Sequence, residues 1–226
     1  MMGKRRKMSC KSVLSAALAL LIFSLPYRAE GITGAEVIEK VQEKLAEYKT
    51  FSARFEKQFY WAILDKRRSR QGRIYMHRPA RFRVEVEDGD LVVADGQAIW
   101  AYVKKNVQVV VSPYRGELKT PWEVLFDYAE SYAPIAIEEV KLDGRSCYLV
   151  SLEPEIANSR IAQMKIWVDR KRWFLLKVEQ LETNDNVTTY ILKDHKTNKK
   201  LEEALFRFTP PEGVEVIDRR DSGLGE

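Results

Sequence analysis

The stretch "RQGRIYMHRPARFRVEVEDGD", Arg70 to Asp90, decides the fold. Its second half alternates strictly: Phe82, Val84 and Val86 point one way, Arg83, Glu85 and Glu87 the other. A period of two is that of a strand with one apolar and one solvated face. The first half, "RQGRIYMHR", reads as another strand, and "RPARF" joins the two. So short a connection makes the pair antiparallel. Arg78 stands at that junction, before a proline and between segments suited to an apolar interior. What the guanidinium does there is the question the rest of the chain must answer.

Upstream, "TGAEVIEKVQEKLAEYKT" reads as a helix. Thr33 is its N-cap, Glu36 completes a capping box, and Val37, Ile38, Val41, Leu45 and Tyr48 share one face. The period then changes in "FSARFEKQF", where Phe51, Ala53, Phe55 and Phe59 lie two or four apart, as in a half-buried strand. Downstream, "LVVADGQAIWAYV" folds back at Asp95-Gly96, and "NVQVVVSPY" follows. "TPWEVLFDYAE" interrupts as a short apolar helix with Thr120 as N-cap and Pro121 in its first turn. Strands resume in "IAIEEVKLDGRSCYLVSLEP", with a turn at Asp143-Gly144, and then in three runs with turns at "DRKR" and "NDN". "ALFRFTPPEGVEVID" is expected to hold a last strand, then the double proline, then an exposed tail. The expected fold is mainly β with a helical lid (α+β). It is an incomplete antiparallel barrel of about 10–11 strands covered by short helices, because long meanders curl.

The N-terminus is of another kind. Lys4, Arg5, Arg6, Lys7 and Lys11 precede the uncharged run Ser12–Leu25, 14 residues long. That is short for a membrane span and suits the core of an export signal. Residues 1–29 are expected to be a cleavable secretory signal peptide, 30–218 the folded domain, and 219–226 a flexible tail. Cys10 precedes the apolar run, so it is not placed for lipidation, and a soluble exported protein is expected. The formal charge of +5 falls to −1 when the six cations of residues 1–29 are set aside, which removes the main support for a nucleic-acid partner. One cysteine remains, Cys147, in a strand-like run, and reads as a small core residue.

Enzyme signatures are scarce. His77 and His195 read as surface strand residues, neither with a partner at metal-ligand spacing. There is no G-x-S-x-G, H-E-x-x-H, C-x-x-C or P-loop. No catalysis, metal or cofactor is expected. Large apolar side chains are spread over most elements, among them Phe51, Phe55, Phe82, Trp100, Trp122 and Phe126. They form either an ordinary core or, in part, the lining of a ligand cavity.

Taken in order, "YKTFSARFEKQF", "G-x-I-Y-M-x-R-P-x-R-F-R-V", "VVADGQAIWAYV", "TPWEVLF" and "FRFTPPEGVEVID" resemble the LolA family of periplasmic lipoprotein carriers, over about Gly34–Asp218. The resemblance implies a half-barrel closed by a helical lid around an apolar cavity. It implies that Arg78 lies inside that cavity and hydrogen-bonds to backbone carbonyls of the lid. From the residues alone, Arg78 reads as a surface arginine at a strand end. The resemblance puts Phe82 near the cavity mouth, in ligand handling and partner contact. It leaves Phe51, Phe55, Trp100, Trp122 and Phe126 as candidate cavity residues. The family's paralogous receptor carries its own lipidated cysteine, which this chain lacks, so the soluble carrier is favoured. The implied partners are lipoprotein acyl chains, an inner-membrane ABC transporter that releases lipoproteins, and an outer-membrane acceptor, with the carrier itself a monomer. The alternative is a carrier or sensor of another lipid or glycolipid on the same fold.

Overall fold

The computed structural model describes residues 31–114 and 131–220. The expected signal peptide, the central helix with Trp122 and Phe126, and residues 221–226 lie outside them. Ile32–Glu226 forms one compact unit.

Helix α1 spans Gly34–Ala46, and its capping box is present. The Thr33 hydroxyl accepts from the Glu36 amide at 3.2 Å, and Glu36 accepts from the Thr33 amide at 2.7 Å. Val37, Ile38 and Val41 are buried, as their spacing predicts. The helix stops before Tyr48, which the spacing places on the same face. Tyr48 instead turns its ring into the core, stacked on Phe51 with centroids 6.5 Å apart. Burial there pushes its phenol up to about 12.

Twelve strands form one sheet: β1 (Thr50–Trp61), β2 (Lys66–His77), β3 (Arg81–Val86), β4 (Leu91–Asp95), β5 (Ala98–Val103), β6 (Gln108–Pro113), β7 (Tyr132–Leu142), β8 (Arg145–Pro154), β9 (Ile161–Asp169), β10 (Leu175–Glu182), β11 (Val187–Thr197) and β12 (Glu215–Asp218). Their order is β12-β6-β5-β4-β3-β2-β1-β11-β10-β9-β8-β7. Two antiparallel meanders thus meet where β1 pairs with β11, and the sheet is open, with β12 and β7 at its ends. The turns carry the expected chemistry. Asp143 and Gly144 both have positive φ, as a two-residue hairpin of the right twist requires. The Asp95 carboxylate accepts from the amides of Gln97 and Ala98 at 2.8 Å each and from the Trp100 indole at 2.9 Å.

Three expectations need correction. The described residues hold twelve strands, not ten or eleven, and the sheet is not wholly antiparallel, because β12 runs parallel to β6. "ALFRF" is not a strand: Glu203–Phe206 is a 3-10 turn, and the last strand follows the prolines. The reason is packing of the two phenylalanines. Phe206 is buried beside His77 and Arg81, and Phe208 lies against Trp100 and Tyr102. The C-terminal segment therefore covers the polar-looking face of β3–β5, where Arg83 donates to the Leu205 carbonyl at 3.2 Å. Lastly, the β1–β2 hairpin is longer than its alternation suggests. It pairs to Trp61↔Lys66, through the run "YWAILDKRRS". That run has no glycine or asparagine to mark a turn, and Asp65 takes the left-handed conformation instead.

Candidate functional site

Residues paired across a sheet share a face, so the ladder registers place the candidates that lie on the described strands. Phe51 is opposite Met76, Met76 opposite Phe82, Phe82 opposite Ala94, and Ala94 opposite Ile99. The next parallel row is Ala53, Ile74, Val84, Val92, Ala101. A third row begins Phe55, Gly72, Val86. These rows make one continuous apolar face from β1 to β5. Helix α1 packs on the part formed by β1, β2 and β7–β11, in one cluster with Phe51, Ile74, Val150, Ile166 and Val178. Farther along, Phe82, Ala94 and Ile99 form a separate cluster with Val92 and Tyr114 against it. Val84 touches both clusters and links them.

Phe51, Phe55 and Phe82 are thus brought to one face. Trp100 is not. It is opposite Val93 and Val111, on the other side of the sheet, with its ring 5.9 Å from Phe208. Its apolar neighbours are Ala98, Val109, Val111 and Val214 under the C-terminal segment. Grouping Trp100 with the other aromatics therefore fails, because position 100 has the opposite parity to Ile99 in the same strand. Trp122 and Phe126 lie outside the described residues.

Gly72 sets how Phe55 lies. A Cβ on Gly72 would stand 2.7 Å from the Phe55 Cζ and 2.0 Å from the Glu85 carbonyl oxygen. The glycine gives the ring of Phe55, its direct cross-strand partner, room to lie flat over the backbone.

Arg78 closes β2 at the edge of this face. Its peptide bond to Pro79 is cis. Its amide donates to the Lys49 carbonyl at 2.9 Å, and its Nη2 donates to the Leu45 carbonyl at 3.2 Å. Leu45 is in the last turn of α1, where its carbonyl accepts from the Tyr48 amide at 3.3 Å and carries the negative end of the helix dipole. A cation is the favoured occupant of that position. The sequence resemblance pointed Arg78 to a lid carbonyl, and the carbonyl it meets among the described residues belongs to the N-terminal helix.

His195 is half-buried, its ring turned inward, where the sequence predicts a surface residue. Its ring stacks on Phe174 at 4.9 Å and meets Phe51 edge-on at 5.9 Å, while Nε2 lies 3.1 Å from the Leu175 carbonyl. Burial holds its pKa down at about 4, against a weaker upward pull from that carbonyl. The bulge near Asp194, which has positive φ, turns the ring inward. His77 stands at the end of β2, its Nδ1 3.0 Å from Arg81. Cys147 is buried and not in a disulfide.

A hollow of about 950 Å³ lies on the opposite face. It is lined by charged and polar residues, among them Glu56, Gln58, Lys177, Glu179 and Lys193, interspersed with Phe59, Val187 and Ile191. Among the described residues, no group of three or more His, Cys, Asp or Glu could hold a metal ion.

In comparisons with known proteins, the family described as outer membrane lipoprotein carrier protein LolA matches residues 46–209. An outer-membrane lipoprotein carrier protein of Legionella pneumophila (strain Lens) is 30% identical over 203 residues, which cover 88% of this chain and 96% of the relative. An uncharacterized protein of Methanocaldococcus jannaschii is 28% identical over 191 residues, 80% of this chain but 53% of the relative, so the chain spans about half of that protein. Among solved structures, an uncharacterized conserved protein from Thermus thermophilus superposes with a TM-score of 0.56 at 17% identity, covering 82% of this chain and 98% of that one. That likeness speaks for the fold alone.

Proposed function

The chain belongs to the LolA family of outer membrane lipoprotein carrier proteins, and on that premise we propose that it is a periplasmic carrier of lipoproteins. In this reading residues 1–29 export the chain and are removed, and residues 30–218 fold as one domain. The sheet curls around the apolar face as an incomplete barrel, with helices as its lid. Acyl chains of a lipoprotein released by an inner-membrane ABC transporter enter against Phe51, Phe55 and Phe82, and an outer-membrane acceptor takes them over. The carrier works as a monomer and without catalysis or cofactor.

The observation that carries this reading is the continuous apolar face from Phe51 to Ile99, with α1 tied to its edge by Arg78. A lipoprotein carries about three acyl chains. Moving them through water costs roughly 30 kcal/mol, at about 0.8 kcal/mol per methylene. A carrier must offset most of that with apolar surface and still let go. A face that is covered when empty does both, since cargo then competes with the cover. The Arg78–Leu45 hydrogen bond favours the covered state and is the contact that entering chains displace. A guanidinium suits the task because it presents several donors in a fixed fork.

The test is release from spheroplasts. Protein beginning at residue 30 is added to cells making a labelled lipoprotein. The expected result is label in the soluble fraction, in a one-to-one complex with this protein. Folded protein that releases nothing, beside a cognate transporter, would overturn the proposal and turn attention to another envelope lipid as cargo.

A further inference from the structure

We propose that the tip of the β1–β2 hairpin docks the protein on an anionic lipid bilayer. This goes beyond carriage and does not rest on it. The tip is made of Trp61, Ala62, Ile63, Leu64, Asp65 and Lys66. Ile63 is 91% exposed and Leu64 57%, side by side at the apex. Soluble surfaces do carry single exposed aliphatics, but two adjacent ones at the end of a hairpin have no packing reason. The hairpin extends past its neighbour on one side. The β2–β3 ladder begins at Gly72↔Val86, so Lys66–Gln71 run beyond the end of β3. On the other side β11 starts opposite Tyr60, and the Ala62 amide is bound by the Asn186 side chain at 3.1 Å. The tip is therefore held at its base and leads with Ile63 and Leu64.

What lies behind the apex matches a bilayer in layers. First come half-exposed rings. Trp61 meets Phe59 edge-on at 4.5 Å, and Tyr60 donates to Asp65 at 3.1 Å. Trp and Tyr favour the boundary between hydrocarbon and headgroups. Lys66, Arg67 and Arg68 are all exposed, and among the described residues none is ion-paired to a carboxylate. By contrast Arg70, the next cation along, is held by Asp88 and Asp90 at 2.6 Å each. The Arg67 guanidinium lies 4.5 Å over the Tyr60 ring and that of Arg68 5.7 Å over Trp61, which keeps both charges beside the rings. β2 begins at Lys66, only two residues after Leu64, so Lys66 and Arg67 stand no more than ~10 Å from the apex. That keeps both within reach of lipid phosphates when the apex enters the hydrocarbon edge. The one acid in the tip, Asp65, is engaged by Tyr60. Two aliphatic side chains make too small a patch for a protein partner, which needs about 800 Å² a side. Three cations with two aliphatics ahead of them are sufficient for reversible attachment to anionic lipid.

The experiment is flotation with vesicles, using protein from residue 30 onward, which contains the compact unit. Phosphatidylglycerol mixed with phosphatidylethanolamine is compared with phosphatidylcholine alone. Wild type is expected to float with the anionic vesicles and not the neutral ones. Lys66→Gln with Arg67→Gln and Arg68→Gln is expected to weaken binding about a hundredfold. Ile63→Ser with Leu64→Ser is expected to weaken it by more than about tenfold, and both variants should bind a triacylated peptide in solution like wild type. Wild type that ignores anionic vesicles, or variants that float as well as it does, would overturn the proposal. So would a wild-type dimer abolished by Ile63→Ser with Leu64→Ser, which would assign the tip to a second copy. Loss of peptide binding by wild type itself would count against carriage and leave the tip's result standing.

Discussion

Arg78 Nη2 lies 3.2 Å from the carbonyl oxygen of Leu45, joining the end of β2 to the last turn of α1 across 33 residues of chain. A hydrogen bond from a charged donor contributes about 1.5–3 kcal/mol. Arg78→Leu is therefore expected to lower the urea midpoint by a corresponding amount. On the proposed function it should still take up acyl chains but hand them on poorly, because the covered state no longer competes with cargo. Arg78→Lys should recover only part of the loss, since a point charge lacks the fork. Transfer by Arg78→Leu at the wild-type rate would remove Arg78 from the gate.

Phe82 and Trp100 are separated by the sheet itself. Phe82→Ala should weaken displacement of an environment-sensitive apolar dye by acylated peptide, as well as costing about 3–5 kcal/mol of stability. Trp100→Ala should cost stability through Phe208 and the Asp95 bond and leave dye displacement unchanged. Equal loss of ligand binding in both variants would contradict the assignment of faces.

Gly72→Ala should destabilise by about 1–3 kcal/mol, the usual range for overpacking. Most of that should persist in a Phe55→Ala background, because the closer clash is with the Glu85 backbone oxygen, which cannot rotate away. Chemical denaturation of the single and double variants measures it.

His195 predicts a pH dependence. Its folded pKa of about 4 lies below the ordinary 6.5 because the ring is buried. The unfolded chain therefore takes up a proton first as pH falls. The stability from keeping His195 neutral is fully present above pH 6.5 and is lost as pH falls toward 4. The loss is at most roughly 3 kcal/mol. His195→Phe keeps a ring against Phe174 and should flatten the stability curve in that window. A curve unchanged in the variant would show that the histidine is not the titrating group.

Much of this was legible without coordinates. Alternation marked nearly every strand, Asp143-Gly144 and Asp95-Gly96 marked their turns, and Thr33 with Glu36 marked the start of α1. The signals failed where local pattern and tertiary demand part. "ALFRF" alternates like a strand, but its two rings are used to cover β3–β5. "YWAILDKRRS" has no clear alternation, yet it pairs to its end because β11 and the Asn186 side chain hold its base.

The sequence by itself determined that the chain is a β meander behind a capped N-terminal helix, and that Arg78 stands beside its apolar rows. These follow from periods of two and 3.6 and from caps, which act over a few residues. Only the tertiary structure decided that Phe51, Phe55 and Phe82 share a face while Trp100 does not, that His195 is inside, that β12 runs parallel to β6, and that Arg78 meets Leu45. The physical reason is that alternation separates two faces within one strand but does not say which face continues into the next. Register and bulges decide that, and both are set by hydrogen bonds between residues far apart in the chain.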